Sequence, residues 1–163
     1  MILRITENLA KKLTIALCRT EGEKVSAFEE WYANLFTFQR TQYILVTNAK
    51  SLFSFVMYGK GISNDNIFLQ RTVSELGEIL RDYELDLIWQ RIIIPTTGKV
   101  AISKTSSKAV LGSMNDMIFQ AKCILESDEL SPYDLSFELN KIIFKYIAYK
   151  KPIEAFRDLS IND

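Results

Sequence analysis

The residues of this 163-residue chain best suited to chemistry stand in Lys104-Thr105-Ser106-Ser107-Lys108, directly before a strongly helical pattern. Two lysines and three hydroxyls surround the backbone N–H groups that a helix leaves free in its first turn, where its dipole is positive. Lys104, Ser106, Ser107 and Lys108 are therefore candidate donors to an anion. The plainer account makes Ser106 or Ser107 a simple helix cap with solvated lysines beside it.

Further along the same pattern, Ser113, Asp116 and Gln120 recur at spacings of three and four and share one helix face, with Gly112 beside them to admit close backbone approach. A carboxylate next to a hydroxyl could position water or a metal, so Asp116 is the candidate acid, base or ligand. No second carboxylate is paired with it in the sequence, as two-group acid–base work requires. A third segment, Thr47-Asn48-Ala49-Lys50-Ser51, lies where a strand ends, a common place for functional side chains. Lys50 beside Ser51 suggests a lysine-activated serine, whereas adjacent helical residues point apart and Asn48 reads more simply as a cap.

What is missing constrains function more tightly. The chain has no histidine and two cysteines. Triads built on histidine, His-rich zinc sites and the facial triad of non-haem iron are excluded, and so is an all-cysteine zinc site within one chain. No Walker loop or dinucleotide-binding glycine motif occurs, because Gly59-Lys60-Gly61 and Gly98-Lys99-Val100 lack the required spacing. No cofactor is expected, with an oxygen-ligated Mg²⁺ left open.

Twenty basic residues balance twenty acidic ones, which disfavours a dedicated duplex-DNA binder and leaves room for a protein partner or a homo-oligomer. Aromatic density in Trp31, Tyr32, Phe36, Phe38 and Tyr43 is expected to be core, the competing reading being an exposed stacking surface for single strands. Lys141, Lys145, Lys150 and Lys151 with Tyr146 and Tyr149 form the one locally basic stretch, read as a solvated helix face. Cys18 and Cys123 sit among apolar neighbours and are expected to be buried, reduced thiols. The opening Met1–Thr6 run, broken by Arg4, lacks the apolar stretch of a signal peptide, and no segment is apolar enough to span a membrane. The expected address is the cytoplasm.

These side chains must be positioned by elements that periodicity outlines. Ile2–Ile5 reads as a strand leading through Thr6, as N-cap, to a helix over Glu7–Leu13. Thr20–Lys24 is a charged loop. Trp31–Phe38 and Thr41–Thr47 read as antiparallel strands joined at Gln39-Arg40, a turn without the usual Asn-Gly. Lys50–Tyr58 fits a buried helix or a core strand equally. After a polar loop over Ser63–Asn66 a helix is expected from about Thr72 to Tyr83, continuing past Leu85 before a strand at Arg91–Ile94. A turn at Pro95 and Gly98 leads to a strand over Lys99–Ser103. Ser107–Leu125 reads as a helix with Val110, Leu111, Met114, Met117, Ile118, Ala121 and Leu125 on its apolar stripe. The last helix starts at Ser131-Pro132 and is expected to bury Leu135, Leu139, Ile142, Ile143 and Tyr146 until Pro152 ends it, with residues 158–163 frayed.

The sum is one domain over residues 1–163, of α/β or α+β class, with a small mixed or antiparallel sheet packed against several helices. Three stretches carry a family likeness: Met1-Ile2-Leu3-Arg4-Ile5-Thr6 with Leu9–Leu13, Tyr43–Phe53, and Val110-Leu111-Gly112-Ser113-Met114-Asn115-Asp116. Through them the chain resembles a bacterial family of stand-alone proteins catalogued as a domain of unknown function, number 6933. The resemblance implies a bacterial cytoplasmic protein and carries over no catalytic residue. Two function classes follow. The leading one is a non-catalytic binding or regulatory protein, since no complete catalytic constellation is present. The other is an enzyme acting on a phosphorylated or nucleotide-like substrate, held at Lys104–Lys108 with Asp116 as acid, base or metal ligand. The second class requires a concave pocket that holds Lys108 or Lys50 with Asp116 and shifts the pKa of a carboxylate or lysine there; a single cleft shared by Lys50, Lys108 and Asp116 is the arrangement expected.

Overall fold

Strands rich in apolar side chains on both faces build the central sheet. In a computed structural model, which describes residues 1–17 and 25–160, β1 spans Ile2–Ile5, β2 Glu30–Phe38, β3 Thr41–Asn48, β4 Ser54–Tyr58 and β5 Ala101–Lys104. The order across the sheet is β4-β3-β2-β1-β5. β1 pairs in parallel with β2 and β5, while β2, β3 and β4 run antiparallel, so the sheet is mixed. The Lys50–Tyr58 ambiguity resolves as a tight turn followed by β4.

Period two then assigns each residue to a face. Leu3, Ile5, Trp31, Ala33, Ile44, Val46, Phe55 and Met57 point to one side and pack against α1 (Glu7–Leu13), α2 (Asp65–Asp82) and Phe156 of α7 (Pro152–Arg157). Tyr32, Phe36, Tyr43, Leu45 and Val56 point to the other and meet Val110, Met114, Met117 and Ala121 of α5 (Lys108–Ser127). Helices cover both faces of one sheet, as the α/β expectation required. Trp31, Tyr32, Phe36 and Tyr43 are core residues and Phe38 is half-buried at the hairpin tip, so the core reading holds for four of these five aromatics.

The β2–β3 hairpin turns at Gln39 and Arg40 with φ of 44° and 66°, the left-handed pair a type I′ turn needs, here without glycine. The opposite sheet margin is closed differently. From α6 (Pro132–Leu139) and its cap, the Ser136 hydroxyl accepts from the Val56 N–H at 2.8 Å and the Asn140 side chain accepts from the Ser54 N–H at 2.9 Å. Side chains thus stand in for a sixth strand and block the β4 edge.

Several expected elements change. The second helix begins at Asp65, two turns before Thr72, because Asn64 caps it by accepting from the Ile67 N–H at 2.9 Å. The Ser63–Asn66 tract is a helix start rather than a loop. Arg91–Ile94 is not a strand: after a short α3 (Asp86–Ile88), Trp89–Ile93 is π-helical and runs into α4 (Ile94–Thr97). Trp89 and Ile93, four apart, are buried while Gln90 and Arg91 face out, a helical rather than a period-two pattern.

The last long helix is also shorter than its apolar run suggested. It stops at Leu139 because Asn140 turns its side chain to β4, and Ile143 and Tyr146 end up exposed. The chain then closes a small loop through left-handed Ala148 and Tyr149, and Pro152 opens α7 at its first turn instead of ending a helix. The basic stretch is therefore not one helix face. Thr6 occupies the N-cap of α1, but its hydroxyl bonds to Asn34. Cys123 is exposed on α5, against the expectation of burial. Cys18, the Thr20–Lys24 loop and residues 161–163 lie outside the described residues; Asp158 bonds to Lys150 and Leu159 packs on the core.

Candidate functional sites at the two ends of the long helix

At the start of α5 the five-residue donor segment is held by the sheet beneath it. Tyr32, buried on β2, places its hydroxyl 3.1 Å from Ser106 Oγ and accepts from the Ser107 N–H at 3.2 Å. Ser107 caps the helix by accepting from the Val110 N–H at 3.3 Å. Arg4 lies below, with Nε 2.5 Å from Glu30 Oε1 and Nη1 3.4 Å from the Lys104 carbonyl. Lys104 Nζ binds Glu7 at 2.8 Å, and that hydrogen bond, with the lysine's charge, holds the Glu7 carboxyl below its ordinary value. Lys108 is exposed in the first turn. The segment thus gathers Lys104, Ser106, Ser107 and Lys108 near Arg4, but Ser107 and Lys104 each have a partner within the fold.

The other predicted positions stand apart from it. Asn48 is fully buried; its Oδ1 accepts from the N–H groups of Lys50 and Ser51 and from Ser51 Oγ, and its Nδ2 donates to the Ala27 carbonyl. Ser51 Oγ in turn accepts from the Phe53 N–H at 3.1 Å. This network shapes the β3–β4 turn, and Lys50 extends from it into solvent. Ser113 Oγ donates to the Ala109 carbonyl one turn earlier. Asp116 is exposed eight residues beyond Lys108, about 12 Å along the axis. A Cβ at Gly112 would meet no atom within 4 Å, so that glycine serves no close approach. Among the described residues no group of three or more potential metal ligands converges.

Among the cavities on the described surface are three that can be compared with these positions, and none of the three is lined by Lys50, Lys108 or Asp116. One of about 630 Å³ lies along α1 between Ala10, Thr14 and the Glu7–Lys104 pair. Another of about 370 Å³ lies between Leu69 and Val73 of α2 and Thr97-Gly98. The third, about 390 Å³, sits at the far end of α5, between the β2–β3 hairpin tip and the α5–α6 loop. Phe38, Tyr43 and Tyr58 supply its aromatic wall and Asp128 and Glu129 its acidic one.

The strands explain that wall. Phe36 and Tyr43 are register partners on β2 and β3, Tyr43 and Tyr58 on β3 and β4, so three rings line up across the sheet. Phe36 and Tyr43 stack at 5.2 Å and 16°, and Tyr43 meets Tyr58 at 5.5 Å. Tyr43 is 7% exposed and Tyr58 45%. Burial, with Tyr58 close by, raises the Tyr43 phenol above its ordinary value. Its hydroxyl has no hydrogen-bond partner among the described residues. Sequence reading flagged Tyr43 and Phe38 as aromatic but missed the site, because Asp128 and Glu129 reach them only through the length and direction of α5.

The fold and these sites define a mixed-sheet α/β domain with polar groups collected at both ends of one long helix. Residues 2–155 match the model of a protein family, described as "Domain of unknown function (DUF6933)", and the chain belongs to that family. No curated protein and no solved structure matches it. Among the described residues no helix is long and apolar enough to cross a membrane.

Proposed function

We propose that the protein is a non-catalytic binding protein of the bacterial cytoplasm, with its ligand site in the cavity between the β2–β3 hairpin tip and the α5–α6 loop. The observation that carries this reading is the combination there of an aromatic wall, two carboxylates without an ion pair among the described residues, and the Tyr43 hydroxyl, which opens on the cavity with no hydrogen-bond partner among the described residues. Concave, largely preformed sites of this size with a few converging polar groups are where small ligands bind. The enzyme reading has weaker support, since Asp116 stands two helical turns from Lys108 and neither residue lines any of the three cavities.

A thermal-shift screen of metabolite classes tests the reading, because a ligand specific to the folded state raises the melting temperature by mass action. At least one class should stabilise the protein, and Leu130→Trp, which places an indole in the cavity lining, should abolish that shift while leaving the unliganded melting temperature within a few degrees. A shift by nucleotides or phosphorylated compounds that survives Leu130→Trp and disappears in Lys108→Ala would favour the anion segment instead.

A further inference from the structure

Deepening the proposed binding function, and resting on it, the geometry points to a protonated alkylamine as the group recognised in the hairpin-tip cavity. Four features of independent origin agree on positive charge. Phe38, Tyr43 and Tyr58 line the space with aromatic rings, whose electron-rich faces attract cations. Asp128 and Glu129 supply formal negative charge, and neither has an ion pair among the described residues. The cavity lies at the C-terminal end of α5, a helix of 20 residues whose last carbonyls and dipole add partial negative charge. No lysine or arginine is among the lining residues.

The Tyr43 hydroxyl narrows the choice. Its ring is buried but its oxygen opens on the cavity with no hydrogen-bond partner among the described residues, so it can accept from an N⁺–H group, which a quaternary ammonium does not offer. Its ring is fixed between Phe36 and Tyr58, so the acceptor is held in place before a ligand arrives. Leu125 and Leu130 add apolar surface for an alkyl stem. An anion would meet the carboxylates without a counter-charge, and Ser131, the one hydroxyl on the acidic side, already caps α6 and donates to Asp134 at 2.7 Å. Arg40 belongs to the hairpin tip but not to the lining. Such an amine could be free, as in a diamine or polyamine, or the side chain of a lysine in a peptide. The recognised chemistry is the same.

The test titrates the full chain with butane-1,4-diamine, with its neutral diol analogue, with tetramethylammonium and with a short lysine-containing peptide, read by melting temperature and by chemical shifts of Tyr43, Tyr58 and Glu129. The diamine should bind saturably and the diol should not. Tyr43→Phe, which keeps the ring stack, should weaken binding about tenfold, as should the pair Asp128→Asn with Glu129→Gln, and added salt should weaken it further. Tighter binding of the peptide than of the diamine would assign the amine to a protein partner. Equal effects of diamine and diol, preference for tetramethylammonium, or indifference to both sets of substitutions would overturn the inference. If another class of compound shifts the same resonances, the inference fails and the binding function stands; if no class shifts them, both fail.

Discussion

Asn140 and Ser54 pair as though they belonged to adjacent strands: the Asn140 side chain accepts from the Ser54 N–H at 2.9 Å and donates to the Ser54 carbonyl at 2.7 Å. Both residues are fully buried, so no water can replace these bonds from outside. Asn140→Ala would leave a donor and an acceptor of β4 unpaired, at about 1–3 kcal/mol for each orphaned group. The expected loss is about 2–4 kcal/mol in urea unfolding. Ser136→Ala, which removes one bond to β4, from the Val56 N–H, together with the hydroxyl's own bond to the Pro132 carbonyl within α6, should lose less; an equal loss would contradict the surrogate-strand account.

Two glycines should respond to alanine with opposite signs. In a helix alanine is favoured over glycine by about 1 kcal/mol. At Gly77 of α2 the added Cβ would stand 2.7 Å from Cζ2 and 2.9 Å from Cε2 of Trp89, a large buried ring. Overpacking outweighs propensity there, and Gly77→Ala is expected to lose about 1–3 kcal/mol and to shift the Trp89 fluorescence. Gly112 of α5 faces open space, so Gly112→Ala should gain about 0.5–1 kcal/mol by the same denaturation measurement.

Those contrasts also mark how far sequence reading reached. β1, β2 and β3 were legible from their apolar, β-branched and aromatic runs and α5 from burial every three to four residues, as in Val110, Met114 and Met117, whereas β4, buried on both faces, fitted helix and strand alike. The element borders that failed were decided by long-range bonds. Asn140 ends α6 through Ser54, 86 positions away in the chain, and no local signal reports that. Arg91–Ile94 has the composition of a strand, but Trp89 must bury its ring against Gly77, and this sets a helical course. The donor segment at Ser106-Ser107 was visible from its composition. The aromatic and acidic cavity was not, since Tyr43 and Tyr58 meet Asp128 only after α5 has crossed the sheet.

Tyr83 offers a test of an unmet hydrogen bond. Its hydroxyl is buried without a partner, because both amide protons of the nearby Asn140 already go to the carbonyls of Ser54 and Ser136. Burial raises the phenol to about 12 from 10, partly offset by Asn140 and Arg157. With the folded value above the unfolded one, the linked stability is fully present below pH 10 and is lost as pH rises towards 12. Tyr83→Phe removes an unsatisfied buried group, so its stability at neutral pH should be unchanged or slightly higher. The fall between pH 10 and 12 should be shallower in the variant, as thermal melts across that range would record.

Arg4 and Lys104 are neighbours at the start of α5, yet their ion pairs should contribute very differently. The Arg4 and Glu30 side chains are 12% and 24% exposed, whereas Lys104 and Glu7 are 41% and 65% exposed. Solvent screens the second pair and the entropy of two mobile side chains opposes it, so Glu7→Gln should leave stability unchanged within error. Glu30→Gln removes the counter-charge of Arg4 between β1 and β2, leaving the guanidinium a neutral amide acceptor and the weak contacts to Ser103 and the Lys104 carbonyl. Breaking one side of a fully buried pair costs about 3–5 kcal/mol, and the residual exposure here reduces the expected loss to about 1–3 kcal/mol. Raising salt should not rescue Glu30→Gln, because the penalty is desolvation of an unpaired guanidinium and not long-range repulsion. If Glu7→Gln were the more damaging of the two, Lys104 rather than Arg4 would be the charge that organises this end of the sheet.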